Sequence, residues 1–144
     1  MKLTENEFHQ ICVNQKIKVT PQRWVTYQAL ISMERHPRVD DIYNKVIKKF
    51  PSITLNTVYK TLEWLEKKKF ISSIFLRDPP KIYDTTTEKH HHLVCVKCGK
   101  IIDFGLKEKP DVVLPNEIKN KFNIQDYNLI VNIVCNKCTK EKTQ

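Results

Sequence analysis

Two Cys-x-x-Cys pairs constrain the second half of this chain more than any other feature. The first pair is Cys95 and Cys98, the second is Cys135 and Cys138, and 36 residues lie between the pairs. A gap of two residues lets both thiolates of a pair turn toward one ion, so two pairs complete a tetrahedral site of four sulfurs. Four ligands leave no open position, and we therefore expect structural Zn²⁺ here. The alternative is a set of redox-active dithiols.

Composition limits the class of protein further. The chain has 144 residues, of which 28% are charged and 40% are hydrophobic, a balance typical of soluble globular proteins. No apolar run approaches the roughly 18 residues of a membrane span, and the N-terminus lacks the apolar stretch of a signal peptide. We therefore expect a cytoplasmic protein without a membrane partner, in which the cysteines stay reduced.

The net charge of +9 is unevenly distributed. Residues 1–84 hold 15 basic against 9 acidic residues, a net of +6, whereas residues 85–144 hold 10 against 7, a net of +3. A basic excess in the first half indicates an anionic partner there, most simply nucleic acid. A solvated lysine-rich surface is the other interpretation that charge alone allows.

The first half has the pattern of a helical domain. Thr4 with Glu7 forms a capping-box pattern, Thr20 precedes Pro21 as an N-cap, and Thr54 can begin a further helix. Apolar residues at helical spacing follow each start. The predicted helices cover residues 4–15, 20–33, 39–50 and 54–69. Cys12 lies on the apolar side of the first of them, so we expect it in the core.

The fourth helix has the features of a DNA-recognition helix. Its apolar stripe comprises Leu55, Val58, Leu62 and Leu65. The opposite side of its first turns offers Asn56, Thr57, Tyr59 and Lys60, groups suited to phosphates and base edges. Two short strands, 70–77 and 81–84, follow it and are joined through Asp78-Pro79-Pro80. This order predicts a winged helix-turn-helix with residues 54–68 as recognition helix. A plain helical domain with a solvated polar face is the alternative.

The second half changes character. Segments 92–98, 100–104 and 127–135 have strand patterns, and residues 115–122 form a short helical piece. We therefore predict an α+β protein with a winged-helix domain at 1–84, a hinge at 85–89 and an α+β domain at 90–144.

Three consecutive histidines precede the first cysteine pair. Side chains alternate between faces in an extended segment, so His90 and His92 point the same way and His91 points the opposite way. The pair forms an H-x-H chelate, with Asp84 and Asp103 flanking it in sequence. Imidazole and carboxylate ligands suit Fe²⁺, Mn²⁺ or Zn²⁺. His91 most simply faces solvent or supports the ligands from outside. A surface histidine cluster without metal is the alternative.

Taken together, these motifs resemble the Fur family of metal-dependent repressors along essentially the whole chain. The resemblance rests on TPQR at 20–23, HPRVDDIY at 36–43, TLNTVYKTLEWL at 54–65, KIYD at 81–84, KHHHLVCVKCGKIIDF at 89–104 and CNKC at 135–138. It implies a winged-helix domain joined by a hinge to an α+β dimerisation domain. It also implies a homodimer on palindromic operator DNA, with Arg23 of TPQR among the DNA contacts.

The resemblance further implies a regulatory site for Fe²⁺ or Mn²⁺. Matched by motif, its ligands would be His36, Asp84, His90, His92 and Asp103. Iron-uptake members usually carry glutamates where this chain has its two aspartates, whereas peroxide-sensing members of the PerR type carry aspartates. In those sensors, bound iron reacts with H₂O₂ and oxidation falls on the histidines that match His36 and His90, which releases the DNA.

Two other functions stay open at this point. One is an iron- or zinc-uptake repressor of the same family without peroxide sensing. The other is a metallohydrolase that uses His90, His92 and Asp84 with an activated water. The sequence offers no obvious general base in an apolar pocket, so we predict a sensor and not an enzyme.

Overall fold

A computed structural model of the chain describes residues 3–34, 36–75, 81–86, 88–105 and 113–140. The chain divides into two compact units, Met1–Glu88 and Lys89–Gln144. The predicted Asp78-Pro79-Pro80 connection lies outside the described residues.

Unit 1 begins with four helices whose starts follow the sequence signals. Thr4 forms the expected capping box with Glu7, and the side chains of Thr20 and Thr54 accept hydrogen bonds from the backbone N–H of Arg23 and Thr57. The helices are α1 (Glu5–Asn14), α2 (Pro21–Ile31), α3 (Val39–Val46) and α4 (Leu55–Lys67). Most end two or more residues earlier than their apolar patterns suggest, because the last turns are irregular.

The core of unit 1 lies between these helices. The Phe8 ring packs 4.9 Å from that of Tyr27 and 4.6 Å from that of Phe70, measured between centroids. Val58, Leu62 and Leu65 of α4 are fully buried, as their spacing predicts, whereas Leu55 is exposed. Cys12 is buried in the same core, which confirms its expected place.

A two-stranded antiparallel hairpin follows α4. It consists of β1 (Ser72–Phe75) and β2 (Lys81–Asp84), with Ser73 opposite Tyr83 and Phe75 opposite Lys81. Ile74 and Ile82 are buried on one face of the hairpin. Helices α2, α3 and α4 pack against one another and are followed by this hairpin, which is the order of a winged helix-turn-helix.

Unit 2 contains a three-stranded sheet in the order β4-β3-β5. Its strands are β3 (His91–Cys95), β4 (Ile101–Phe104) and β5 (Ile130–Ile133), and β3 pairs antiparallel with β4 and parallel with β5. The helices are α5 (Asn116–Lys121) and α6 (Asn136–Lys140). The patterns did not predict α6. With helices and small sheets in one chain, the expected α+β class is confirmed.

The core of unit 2 is unusually thin. In its described part, the buried cluster comprises Cys95, Cys135 and Cys138, with Ile133 packed against them. All residues of α5 are described, and none of them is buried. The described part of unit 2 therefore buries little apolar surface, and in domains of this size a bound metal or a second subunit usually adds the missing stability. Among the helices that the structure describes, none combines the length and apolar character needed to cross a membrane.

Candidate metal centres and DNA-binding face

The four cysteines of unit 2 meet at one point. Each offers its Sγ atom, and all four atoms lie within 4.8 Å of one another. The Sγ atoms of Cys98 and Cys135, one from each pair, are 3.7 Å apart. Zinc–sulfur bonds of about 2.3 Å in a tetrahedron place the sulfurs about 3.8 Å apart. The cluster therefore has the size of a four-thiolate zinc site, and the described cysteines form no disulfide.

The backbone around the cluster favours thiolates. The N–H of Cys135 donates to the Sγ of Cys95 at 3.3 Å, and this hydrogen bond, together with weaker ones from the backbone of Cys98 and Lys97, lowers the pKa of the Cys95 thiol to about 6. Burial, together with the neighbouring thiols, raises the pKa of Cys138 to about 12. Four crowded sulfurs resist becoming four anions, and a bound dication would remove that resistance. This charge balance suits a metal better than a dithiol pair.

A second ligand group in unit 2 lies on the neighbouring strands. His92 stands directly opposite Asp103 in the β3–β4 register, so their side chains project from the same face. The Nε2 atoms of His92 and His90 lie 3.6 Å and 4.0 Å from Oδ1 of Asp103. Strand alternation brings the two imidazole rings within 4.6 Å of each other, between centroids. Three of the predicted ligands therefore converge.

His91, the middle histidine, differs from its expected surroundings. It is only 1% exposed, so of its two expected places the solvent-facing one is wrong, whereas a supporting place outside the ligands stays a prediction. Its ring stacks on Tyr127 at 5.8 Å and approaches Phe104 at 5.6 Å, while Leu129 N–H donates to its Nδ1 at 3.4 Å. Alternation turned His91 to the opposite face, and aromatic residues from other segments cover that face.

In unit 1, His36 and Asp84 form a separate pair. Nε2 of His36 lies 3.4 Å from Oδ2 of Asp84, and the two side chains are 13% and 5% exposed. Thr86 N–H donates to the other carboxylate oxygen at 2.7 Å. Tyr83 N–H donates to the carbonyl of Pro37 at 2.9 Å, which ties the segment after His36 to the strand that ends at Asp84. The local backbone therefore holds the imidazole beside the carboxylate.

These separations fit metal ligation. Bonds of about 2.0–2.2 Å allow two donor atoms of one ion to lie at most about 4.3 Å apart. The His36–Asp84 pair of unit 1 and both pairs made by Asp103 in unit 2 satisfy that limit. Nitrogen and carboxylate oxygen are ligands suited to Fe²⁺ or Mn²⁺, in contrast to the thiolates of the cysteine cluster.

The polar side of the first turns of α4 is open to solvent. Asn56, Tyr59 and Lys60 are exposed, with Tyr59 at 47%, and Thr57 is half-buried, its hydroxyl hydrogen-bonded to that of Thr54. These four predicted DNA contacts therefore occupy the accessible face of the helix. Their contact with DNA stays a prediction.

Arg23 has other neighbours. Its guanidinium carbon lies 4.1 Å from the centroid of the Trp64 ring on α4, a cation–π contact, and it also donates to the carbonyl of Lys18. Arg23 therefore links the segment before α2 to α4. Its contact with DNA stays a prediction.

One polar group was missed by the sequence reasoning. Glu66, near the C-terminal end of α4, contacts both strands of the hairpin: the hydroxyl of Ser73 donates to its Oε1, and Lys81 Nζ lies 2.7 Å from its Oε2. The helical spacing shows that Glu66 belongs to the polar side, yet its partners lie 7 and 15 residues away. The available signal in the sequence was the combination of a carboxylate, Glu66, near the end of the helix and a lysine, Lys81, at the start of the second predicted strand.

Comparisons with known proteins agree with these features. The model of the ferric uptake regulator family matches residues 14–132. The peroxide-responsive repressor PerR of Staphylococcus epidermidis is 30% identical over 125 residues, which cover 87% of this chain and 83% of that protein. The Campylobacter jejuni peroxide stress regulator is 29% identical with a TM-score of 0.66, over 92% of this chain and 99% of that one. Fur of Helicobacter pylori, at 22% identity, shares the fold with a TM-score of 0.71, over 93% and 90% of the two chains.

Proposed function

Since this chain belongs to the ferric uptake regulator family of metal-responsive transcription regulators, we propose that it is an Fe²⁺- or Mn²⁺-dependent repressor that responds to hydrogen peroxide. Family membership also decides against the metallohydrolase, because the family consists of regulators and not enzymes. The regulatory ligands would be His36 and Asp84 from unit 1 with His90, His92 and Asp103 from unit 2. The observation that carries the proposal is the convergence of imidazole and carboxylate atoms within each unit.

An ion that takes ligands from both units would restrict their relative orientation. The free energy of metal binding can then favour one domain arrangement over others. In a dimer, that arrangement sets the distance between two recognition helices, which must match the half-site spacing of a palindromic operator. Metal dependence of DNA binding follows from this coupling.

Dimerisation and structural zinc would compensate for the thin core of unit 2. Hydrophobic side chains remain exposed on and around α5, with Phe122 at 59%, Ile118 at 40% and Ile124 at 39%. Apolar surface left open in one chain indicates an interface with another. We propose that a second copy covers these residues and that Cys95, Cys98, Cys135 and Cys138 bind Zn²⁺.

Peroxide sensing is supported by the relatives and by the ligand type. Two of the similar proteins are named for their response to peroxide, and both proposed carboxylate ligands are aspartates, as the resemblance to peroxide-sensing members implies. Bound Fe²⁺ would supply the electrons that convert H₂O₂ into a hydroxyl-type oxidant. His36 and His90, as ligands, would be the nearest oxidisable groups.

The proposal is tested by DNA binding as a function of metal. A duplex is first selected from a random-sequence pool by the Mn²⁺-loaded wild-type protein. We expect this duplex to contain an inverted repeat and to bind about a hundredfold more weakly when only zinc is present, the usual size of such coupling. Fluorescence anisotropy at fixed ionic strength measures both affinities.

A matched pair of histidine variants serves as the control. His92→Ala removes one ligand of the regulatory group and should abolish the response to Mn²⁺. His9→Ala removes an exposed histidine of α1 and should preserve it. Selection of no duplex by the wild type, or an equal response of both variants, would overturn the proposed function.

A further variant tests the exposed side of α4. Lys60→Ala should weaken DNA binding by roughly tenfold at low salt, because a lysine–phosphate contact and its counterion release are lost. The slope of log affinity against log salt concentration should become shallower by about one. Lys48→Ala removes another exposed lysine, which lies outside α4, and is the comparison. Identical affinities and slopes in the two variants would remove Lys60 from the DNA contacts.

A further inference from the structure

We infer that Glu66 is a positioning residue for DNA recognition, which fastens both strands of the wing to the recognition helix. The wing is defined here as β1 and β2. This inference rests on the proposed DNA-binding function and names residues outside the DNA-facing set.

The contacts connect three elements through one carboxylate. Oε1 of Glu66 accepts from the Ser73 hydroxyl of β1, and Oε2 lies 2.7 Å from Lys81 Nζ of β2. In the hairpin register, Ser73 and Lys81 belong to the same face, because their partners Tyr83 and Phe75 alternate with the buried isoleucines. Each oxygen of Glu66 therefore holds a different strand.

The surroundings make this group stronger than an ordinary surface ion pair. The side chains of Lys81 and Glu66 are only 23% and 32% exposed. Lys81 Nζ also lies 5.1 Å from the Phe75 ring centroid and 5.3 Å from that of Tyr83. Burial alone would raise the pKa of Glu66, but hydrogen bonds from Lys81 and Ser73 outweigh it and hold the pKa below its usual value. The carboxylate is therefore ionised and fully engaged.

A two-stranded hairpin has little stability by itself. Fixing it to α4 makes the helix and the wing one rigid surface, so the wing does not have to be ordered when DNA binds. The wing carries an exposed Phe75, at 71%, beside the lysine that Glu66 orients. Loss of Glu66 should therefore reduce DNA affinity even though a negative charge is removed.

The direction of this change in DNA affinity distinguishes a positioning role of Glu66 from a simple effect of its charge. Glu66→Ala and Glu63→Ala both delete one carboxylate from the same helix, but Glu63 is exposed one turn earlier. Electrostatics alone predicts slightly tighter DNA binding for both variants. Positioning predicts that Glu66→Ala binds the selected duplex about fivefold more weakly, whereas Glu63→Ala binds as well as wild type or better.

A double-mutant cycle with Lys81→Met completes the test. If charge dominates, the two single changes have opposite signs and cancel in the double variant. If positioning dominates, both single variants bind DNA more weakly than wild type, and the double variant binds no more weakly than the weaker of the two. The inference would be overturned if Glu66→Ala bound DNA as tightly as Glu63→Ala does. It would also be overturned if Glu66→Ala and Lys81→Met changed the affinity in opposite directions and their effects added in the double variant.

A measurement without DNA keeps this test distinct from the proposed function. Amide hydrogen exchange in Ser72–Phe75 and Lys81–Asp84 should be several-fold faster in Glu66→Ala than in Glu63→Ala, with α2 unchanged. Faster exchange in a protein that selects no duplex would retain the Glu66 contact and reject the DNA function. Unchanged exchange would reject the contact itself.

Discussion

Protein loaded with Fe²⁺ in the absence of oxygen should lose its operator affinity after one equivalent of H₂O₂, whereas Mn²⁺-loaded protein should keep it. The net chemistry expected at the site is insertion of one oxygen atom into a histidine ring, with the second oxygen of H₂O₂ leaving as water. Peptides that contain His36 or His90 should gain the mass of one oxygen atom. Peptide mass spectrometry and anisotropy on the same sample measure both effects.

Exposure provides an internal control for this experiment. The His9 side chain is 47% exposed, whereas that of His36 is 13% exposed. Oxidant formed in bulk solution would attack His9 first, while oxidant formed at a bound iron would attack the buried ligands. Oxygen found on His9, or on no histidine, contradicts peroxide sensing. Metal-dependent DNA binding that survives H₂O₂ would then favour the iron- or zinc-uptake repressor.

The second large effect is expected from the cysteine cluster. If the proposed zinc site and dimer exist, Cys98→Ser should eliminate bound zinc, unfold unit 2 and convert the dimer to a monomer. Structural zinc in small domains contributes about 10–16 kcal/mol of apparent binding free energy, and the described core of unit 2 has little else to replace it. Zinc content by elemental analysis, sedimentation and near-UV circular dichroism follow the three changes.

Cys12→Ala is the matched control for thiol loss. Cys12 is buried in unit 1 and is separate from the cluster, so this variant should retain one zinc ion per chain and the dimer. A small loss in the stability of unit 1 is expected from the cavity it leaves. A Cys98→Ser variant with wild-type zinc content and a stable dimer would contradict the zinc assignment. Reversible disulfide formation in a wild-type protein that binds no zinc would support the dithiol alternative.

Local signals predicted those parts of the fold that local physics determines. Thr4, Thr20 and Thr54 begin their helices because each side chain can accept a backbone N–H that the first turn leaves unsatisfied. The sequence spacing of the cysteines was sufficient to group them, and alternation was sufficient to separate His91 from its neighbours. None of these inferences required knowledge of a distant segment.

The features that were missed depend on distant segments. Helix α6 has only five residues, too few to be stable through propensity. It forms beside the cysteine cluster, where Thr139 N–H donates to the Cys135 carbonyl. Likewise, alternation gives the direction of His91 but not what covers it, because Tyr127 and Phe104 come from other strands and loops. The contacts of Glu66 could not be predicted for the same reason, because Ser73 and Lys81 lie on other elements.

Strand β2 connects the proposed metal ligands of unit 1 to the recognition helix, because its two ends have different partners. Four residues span about 10 Å, with Lys81 bonded to Glu66 of α4 at one end and Asp84 beside His36 at the other. A strand of this length moves as a rigid unit. We therefore expect that an ion bound by Asp84 would also change the position of Lys81 and, through Glu66, that of α4. Linkage requires the reverse influence to be equal. Operator DNA that immobilises α4 should therefore tighten the binding of the proposed regulatory ion, so that protein on its operator would stay metal-bound at a lower free metal concentration than protein in free solution.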